Sequence, residues 1–203
     1  MPPLEAAIPY FLNPEQEIPK VRIPREAGVP EEVPPEELRY WKGRLVPHLD
    51  SVAHLRPYAY SLLKVREIAR RSLQVTTAFR AKGVAGVYRF LLGCRYATDE
   101  ELFKRKDYWQ TPDEFESNRA GDCEDHAMWA WRQCLDLGDD ARFTIGGFRK
   151  GAHAWVTLFE HNIPFVLEAT AKDTRELEPF KAPSRYEPSF SIDGKLRFYQ
   201  HVR

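Results

Sequence analysis

The apolar positions of the chain change their period twice. Residues 1 to about 35 have no period; nine prolines (Pro2, Pro3, Pro9, Pro14, Pro19, Pro24, Pro30, Pro34 and Pro35) break the stretch. Each proline fixes φ and removes a donor, so this segment is expected to be extended or irregular. From Pro35 to Arg80 the pattern is helical. Glu36 and Glu37 open a helix through Leu38, Tyr40 and Trp41. A second helix begins at Pro57 and puts Tyr58, Leu62, Val65, Ile68 and Ala69 on one face. A third runs from Val84 to Leu92 between Gly83 and Gly93.

Thr111-Pro112-Asp113-Glu114 has the form of a capping box, and the helix it starts must end before Gly121. The next helix carries Cys123 in its first turn, continues through Ala127, Trp131, Cys134 and Leu135, and stops at Gly138. Beyond Gly138 the period falls to two. Arg142–Phe148, Ala152–Glu160 and Phe165–Thr170 read as strands, with His161 to Pro164 turning between the last two. Phe190 to Phe198 reads as a hairpin with Asp193-Gly194 at its turn. Helices followed by antiparallel strands predict an α+β fold. The organisation expected is a proline-rich extended arm over 1–35, a helical amino-terminal segment over 36–84 and a catalytic domain over 85–203.

Charge narrows the function classes. Thirty basic and thirty acidic residues leave a formal net charge of zero, so nothing global draws the chain to nucleic acid or to an anionic membrane. No stretch is long and apolar enough to span a bilayer, and the amino terminus has no export-signal pattern, so a cytoplasmic setting is the default expectation. The three cysteines, Cys94, Cys123 and Cys134, form no disulfide framework and lack zinc-ligand spacing. Cys94 and Cys134 are expected in the core, as are Trp129, Trp131 and Trp155; His126 and His161 are expected to be exposed. The apolar residues scattered through the arm suit either a loose tail or a surface that docks a protein partner.

Cys123 is the residue with chemistry to offer. A thiol attacks as its thiolate, and a helix N-terminus favours that form. Gly121 allows close backbone approach, and the free N–H groups of the first turn can bind an oxyanion. Asp122, Glu124 and Asp125 oppose ionisation of the thiol, although side chains at i±1 on a helix are expected to diverge. The same three carboxylates suit either a helix-start device or a Ca²⁺ site. A base is needed, and His153 lies between small residues at the start of a strand. Glu168 interrupts an apolar run on the next strand, where an unpaired carboxylate is costly; Asp173 is an alternative acid. Parity decides whether the two can meet. A turn at Glu160-His161 puts Glu168 directly opposite His153, and a turn of Glu160 to Ile163 makes His153 its diagonal neighbour.

These segments resemble the bacterial transglutaminase-like cysteine proteinases of the transglutaminase-like and papain-like superfamily. The residues that carry the resemblance are Trp109 to Phe115, Gly121-Asp122-Cys123-Glu124-Asp125, Gly151-Ala152-His153-Ala154 and Val166-Leu167-Glu168. The resemblance implies a Cys-bearing helix packed on an antiparallel sheet and acyl transfer through a thioester, with Cys123, His153 and Glu168 as the catalytic triad. The family's third position is usually Asp or Asn, so Glu168 is a departure. The resemblance also implies that Trp109 or Gln110 lines the site and supplies an oxyanion donor. It requires no cofactor, though some relatives bind calcium near the Asp-Cys-Glu-Asp run, which points here to Asp122, Glu124 and Asp125. The substrate it implies is a protein or peptide amide. The alternative is a fold of this type serving as an interaction module.

Overall fold

The computed structural model describes residues 34–47, 58–149, 151–170, 178–179 and 185–203. Most of the proline-rich arm, the start of the second helix at Pro57 and the alternative acid Asp173 lie outside the described residues. Among the described residues no helix is long and apolar enough to cross a membrane.

Among the described residues, six helices and nine strands follow one another in chain order. The first elements are α1 (Pro35–Lys42), β1 (Arg44–Val46), α2 (Tyr58–Gln74), α3 (Gly83–Leu92), β2 (Arg95–Tyr96), α4 (Asp99–Phe103), α5 (Pro112–Asn118) and β3 (Ala120–Gly121). Then come α6 (Cys123–Asp136), β4 (Asp140–Phe148), β5 (Gly151–Glu160), β6 (Ile163–Leu167), β7 (Glu178–Pro179), β8 (Tyr186–Asp193) and β9 (Phe198–Gln200). Seven strands make one sheet in the order β1-β9-β8-β4-β5-β6-β7, every neighbouring pair antiparallel. β2 and β3 form a short parallel pair.

The core forms where α6 lies across this sheet. The α6 residues Ala127, Met128, Trp129, Trp131 and Cys134 share one cluster with Phe143, Ala154, Val156, Leu167 and Ile192 of the strands. Burial of each large side chain contributes about 1.5–3 kcal/mol. Leu62, Val65, Ile68 and Ala69 of α2, and Val87, Phe90 and Leu91 of α3, join the same cluster. Phe90 stacks on Trp129 at 3.8 Å between centroids. The 36–84 segment thus shares its packing with the sheet. α1 also meets the sheet: Tyr40 Oη donates to Pro188 O at 3.1 Å, and the Tyr40 carbonyl bonds His201 Nδ1 at 2.7 Å. β1 then pairs with β9 and becomes an edge strand that the helical reading of this segment did not foresee.

Two turns determine what the strands present. At β5–β6 the turn is His161-Asn162, with φ of 49° and 67°, and Glu160 pairs with Ile163. Positive φ at both positions matches the right-handed twist of the flanking strands. Val156 pairs with Leu167, so the diagonal register is the one adopted. At β8–β9 the turn is not a two-residue Asp193-Gly194. Asp193 N donates instead to Arg197 O, and Leu196 takes φ 60°. The Asp193 carboxylate accepts from the N–H groups of Lys195 and Arg197 at 2.9 and 3.0 Å, which holds a three-residue loop, Gly194 to Leu196. β4 carries a bulge between Ile145 and Gly146 against β8. Gly146 is required there, since a Cβ would lie 2.9 Å from Pro188 Cα.

Candidate functional site

Cys123 is the first residue of α6, half-buried, following the N-cap Asp122. The start of this helix is held from outside. Asp125 Oδ1 accepts from Gln110 N at 2.8 Å; its Oδ2 accepts from Gln110 Nε2 at 2.7 Å and from Asp122 N at 3.3 Å. Gly121 makes room for this carboxylate, because a Cβ there would lie 2.6 Å from Asp125 Cβ. Asp125 is buried, and burial pushes its carboxyl up to about 7 against the pull of the Gln110 donors.

His153 sits near the start of β5, and its Nε2 lies 2.8 Å from Glu168 Oε2. Glu168 is buried and takes three further donors. Thr170 N and Oγ1 reach Oε1 at 2.9 and 2.7 Å, and Tyr186 Oη reaches Oε2 at 3.0 Å. Burial alone would raise this carboxyl; the bonds and charge of His153, then those of Thr170, hold it below the ordinary carboxylate range. Phe148 and Trp155 flank the imidazole at 5.1 and 6.3 Å between centroids.

One cleft of about 510 Å³ opens onto both Cys123 and His153. Val65, Trp109, Ile145 and Phe190 supply apolar walls, and Glu124 and Asp107 are acidic lining residues. Ala154, next to His153, also lines this cleft, and its backbone N–H favours the ionised form of the Cys123 thiol. Cys123 and His153 therefore line the same cleft. The Nε2 bond to Glu168 leaves Nδ1 of the neutral ring as the lone pair available to a thiol.

The acids depart from expectation. Cys123 Sγ donates to Glu124 Oε2 at 3.2 Å, so these i, i+1 side chains do not diverge. The first turn has no preceding turn to pack against, and the longer Glu124 side chain folds over the sulfur. Burial, then the charge and hydrogen bond of Glu124, then Asp122, push the thiol up; the Ala154 N–H opposes them. Burial raises the carboxyls of both Asp122 and Glu124.

Two acids that sequence reasoning missed join this group. Ligand oxygens of Asp99, Asp107 and Glu124 lie within 4.8 Å of one another, as do those of Asp99, Asp122 and Asp125. Asp99 begins α4 behind the Thr98 capping box, so in sequence it reads as a helix-start acid. Asp99 Oδ1 and Asp122 Oδ1 are buried with no hydrogen-bond partner among the described residues. Carboxylate oxygens gathered this way, two of them orphaned, fit a hard cation such as Ca²⁺. Asp99, Asp107, Asp122 and Glu124 are the residues that could hold it. Asp125, of the expected ligand set Asp122, Glu124, Asp125, falls in the second of these groups and also accepts from Gln110.

Gln110, offered as an oxyanion donor, is not among the residues that line the cleft. It is buried; its amide donates to Ala120 O at 2.9 Å and to Asp125, while Oε1 accepts from Asn118 Nδ2 at 2.7 Å. Both donors are therefore committed away from the cleft. Trp109 does line the cleft; its Nε1 donates to Asp107 Oδ1 at 2.9 Å, and Lys64 sits 5.1 Å over its ring. His126 is buried, contrary to expectation. It lies on the inward side of α6, with Nδ1 2.8 Å from Asp122 O and its ring against Phe115 at 4.7 Å. His161 is exposed, while Cys94, Cys134, Trp129, Trp131 and Trp155 are buried.

At the level of sequence, no family model matches the chain and comparison with curated proteins finds no match. Solved structures do match. Calcium-bound LapG of Legionella pneumophila superposes with a TM-score of 0.50 at 18% identity, over 71% of this chain and 88% of that one. The EGTA-treated form gives 0.50 at 19% identity, over 70% and 87%. At such identities the likeness speaks to architecture alone, and the chain has a papain/transglutaminase-like α+β fold, its Cys-bearing helix packed on an antiparallel sheet.

Proposed function

We propose that this protein is a cysteine-nucleophile acyl-transfer enzyme that acts on peptide or side-chain amides through a thioester. The observation that carries the reading is the His153–Glu168 bond at 2.8 Å, on the wall of a cleft that also receives Cys123. His153 Nδ1 takes the proton of the Cys123 thiol, and the sulfur attacks the amide carbonyl. The N–H groups at the head of α6 stabilise the oxyanion. The imidazolium then returns its proton to the departing amine as the C–N bond breaks, leaving a thioester. Water completes hydrolysis, or an amine completes transamidation. Glu168 holds the ring in the Nε2–H tautomer and stabilises the imidazolium. The substrate is a protein or peptide.

Asp99, Asp107, Asp122 and Glu124 would hold calcium beside this centre. When bound, the ion would supply positive charge that offsets the acids around the thiol. Glu124, engaged as a ligand, would then leave Cys123 free to give its proton to His153.

The test is alkylation and turnover together. Cys123 should react with iodoacetamide faster than Cys94 and Cys134, His153→Ala should slow that reaction, and peptide or amide turnover should vanish in Cys123→Ala. Equal, slow labelling of all three thiols, with no turnover in calcium, would overturn the reading. The Glu124-bound, protonation-favouring thiol favours a second reading, an interaction module with no chemistry. That reading predicts a stable complex unaffected by Cys123→Ala.

A further inference from the structure

We infer that Tyr186 is a positioning residue of this centre: its hydroxyl fixes the Glu168 carboxylate so that Oε2 stays aimed at His153. The inference rests on the reading of His153 and Glu168 as base and orienting acid. Glu168 has one more methylene than the Asp or Asn usual at this position, and therefore one more free torsion. Thr170 grips Oε1 with two donors, at 2.9 and 2.7 Å. That pins one oxygen and still lets the carboxylate plane swing about it. Tyr186 Oη, 3.0 Å from Oε2, pins the second oxygen, the one His153 uses. With both oxygens fixed, the plane is fixed.

Tyr186 is suited to the task because it cannot move. It opens β8, is 2% exposed, and packs against Phe148 at 4.6 Å and Trp155 at 5.3 Å between centroids. Those two rings also flank the His153 imidazole. One aromatic wall therefore sets both the plane of the base and the plane of its acid. The hydroxyl adds a charge-assisted bond in a site closed to water, where such bonds are strongest. Tyr186 is not among the residues that line the cleft, and its hydroxyl acts on His153 through Glu168.

The test is Tyr186→Phe, which keeps the ring and removes the hydroxyl. In wild-type protein the ¹⁵N resonances of the His153 ring should report a single Nε2–H tautomer. In Tyr186→Phe they should move toward a mixture of tautomers, and kcat should fall about tenfold with KM changed less than about twofold. Unchanged ring resonances and unchanged kcat would overturn the inference and leave Tyr186 as packing alone. The spectroscopic arm needs no turnover, so it decides this point even if the wild-type protein proves inactive, an outcome that would instead sink the proposed function. Should Tyr186→Phe fail to fold, the ¹³Cζ resonance of Tyr186 in Glu168→Gln gives the same answer. A displaced resonance supports the bond, and an unmoved one refutes its importance.

Discussion

Cys123 and Glu124 are consecutive in sequence, and their side chains meet, the thiol donating to Oε2 at 3.2 Å. A carboxylate in that position holds a proton on the sulfur. Removing its charge should therefore release the nucleophile. In chelator at pH 8, Glu124→Gln is expected to raise the iodoacetamide rate of Cys123 by about tenfold, one unit of thiol ionisation. Calcium should raise the wild-type rate to a similar degree and have little effect on the variant. Mass spectrometry of the labelled peptides separates Cys123 from Cys94 and Cys134. A wild-type rate identical in calcium and chelator would count against a cation at this place.

Calcium should also stabilise the fold. Buried acids with orphaned oxygens are costly without a counter-charge, and Asp99 and Asp122 each carry one such oxygen. At calcium a hundredfold above its dissociation constant the gain is about 2.7 kcal/mol, readable as a rise in melting temperature. Asp99→Asn and Asp107→Asn should weaken binding in calorimetric titration. Asp125→Asn should chiefly lower the melting temperature in chelator, since that carboxylate is engaged with Gln110.

Gly121→Ala places a methyl group 2.6 Å from Asp125 Cβ and 2.8 Å from Gln110 Nε2. Both neighbours are buried and neither can retreat. The expected cost is about 1–3 kcal/mol in denaturant unfolding. Activity should fall further than stability explains, because the displaced turn carries Cys123. A variant as stable as wild type would show that the turn is softer than its contacts imply.

His201 gives the fold an acid limit. It is buried between Tyr40 O and Ser191 Oγ, and burial lowers it from 6.5 to about 4. The unfolded chain binds this proton from about pH 6.5 downward and the folded chain does not, so stability is lost as pH falls from about 6.5 to about 4. The loss amounts to roughly 3 kcal/mol across that window. His201→Gln should flatten this part of the stability profile in urea titrations at stepped pH, while lowering stability at pH 8 through the lost bond to Tyr40 O. A slope unchanged in the variant would assign the acid limit to other groups.

The α+β fold was legible because its periods are clean: α6 shows apolar residues at helical spacing, and β4 to β6 show strand alternation bounded by Gly138 and His161-Asn162. The meeting of His153 with Glu168 was legible because strand parity allowed only two registers, and the diagonal one is adopted. Asp99, Asp107, Thr170 and Tyr186 were not. Each looks ordinary in its own segment, as a cap, a loop acid, a strand end or an aromatic strand residue, and acquires a role only when tertiary packing carries it to the site. Gln110 misled in the opposite way. Its place near the site was right, but the side chain turns inward because Asp125 and Ala120 O need its donors. The buried His126 reflects an α6 enclosed on more sides than one apolar stripe suggests.

The pairing of β1 with β9 has a practical corollary. The strand after α1 and the last strand of the chain run side by side at one margin of the sheet, while β5, which bears His153, is three places beyond β9. At a spacing of about 4.8 Å per strand that separation is roughly 14 Å. A dye or affinity handle joined after Arg203 therefore starts on a different flank from the His153 imidazole. Carboxy-terminal immobilisation offers a geometry in which large peptide ligands can be presented to the molecule without the support standing in their way.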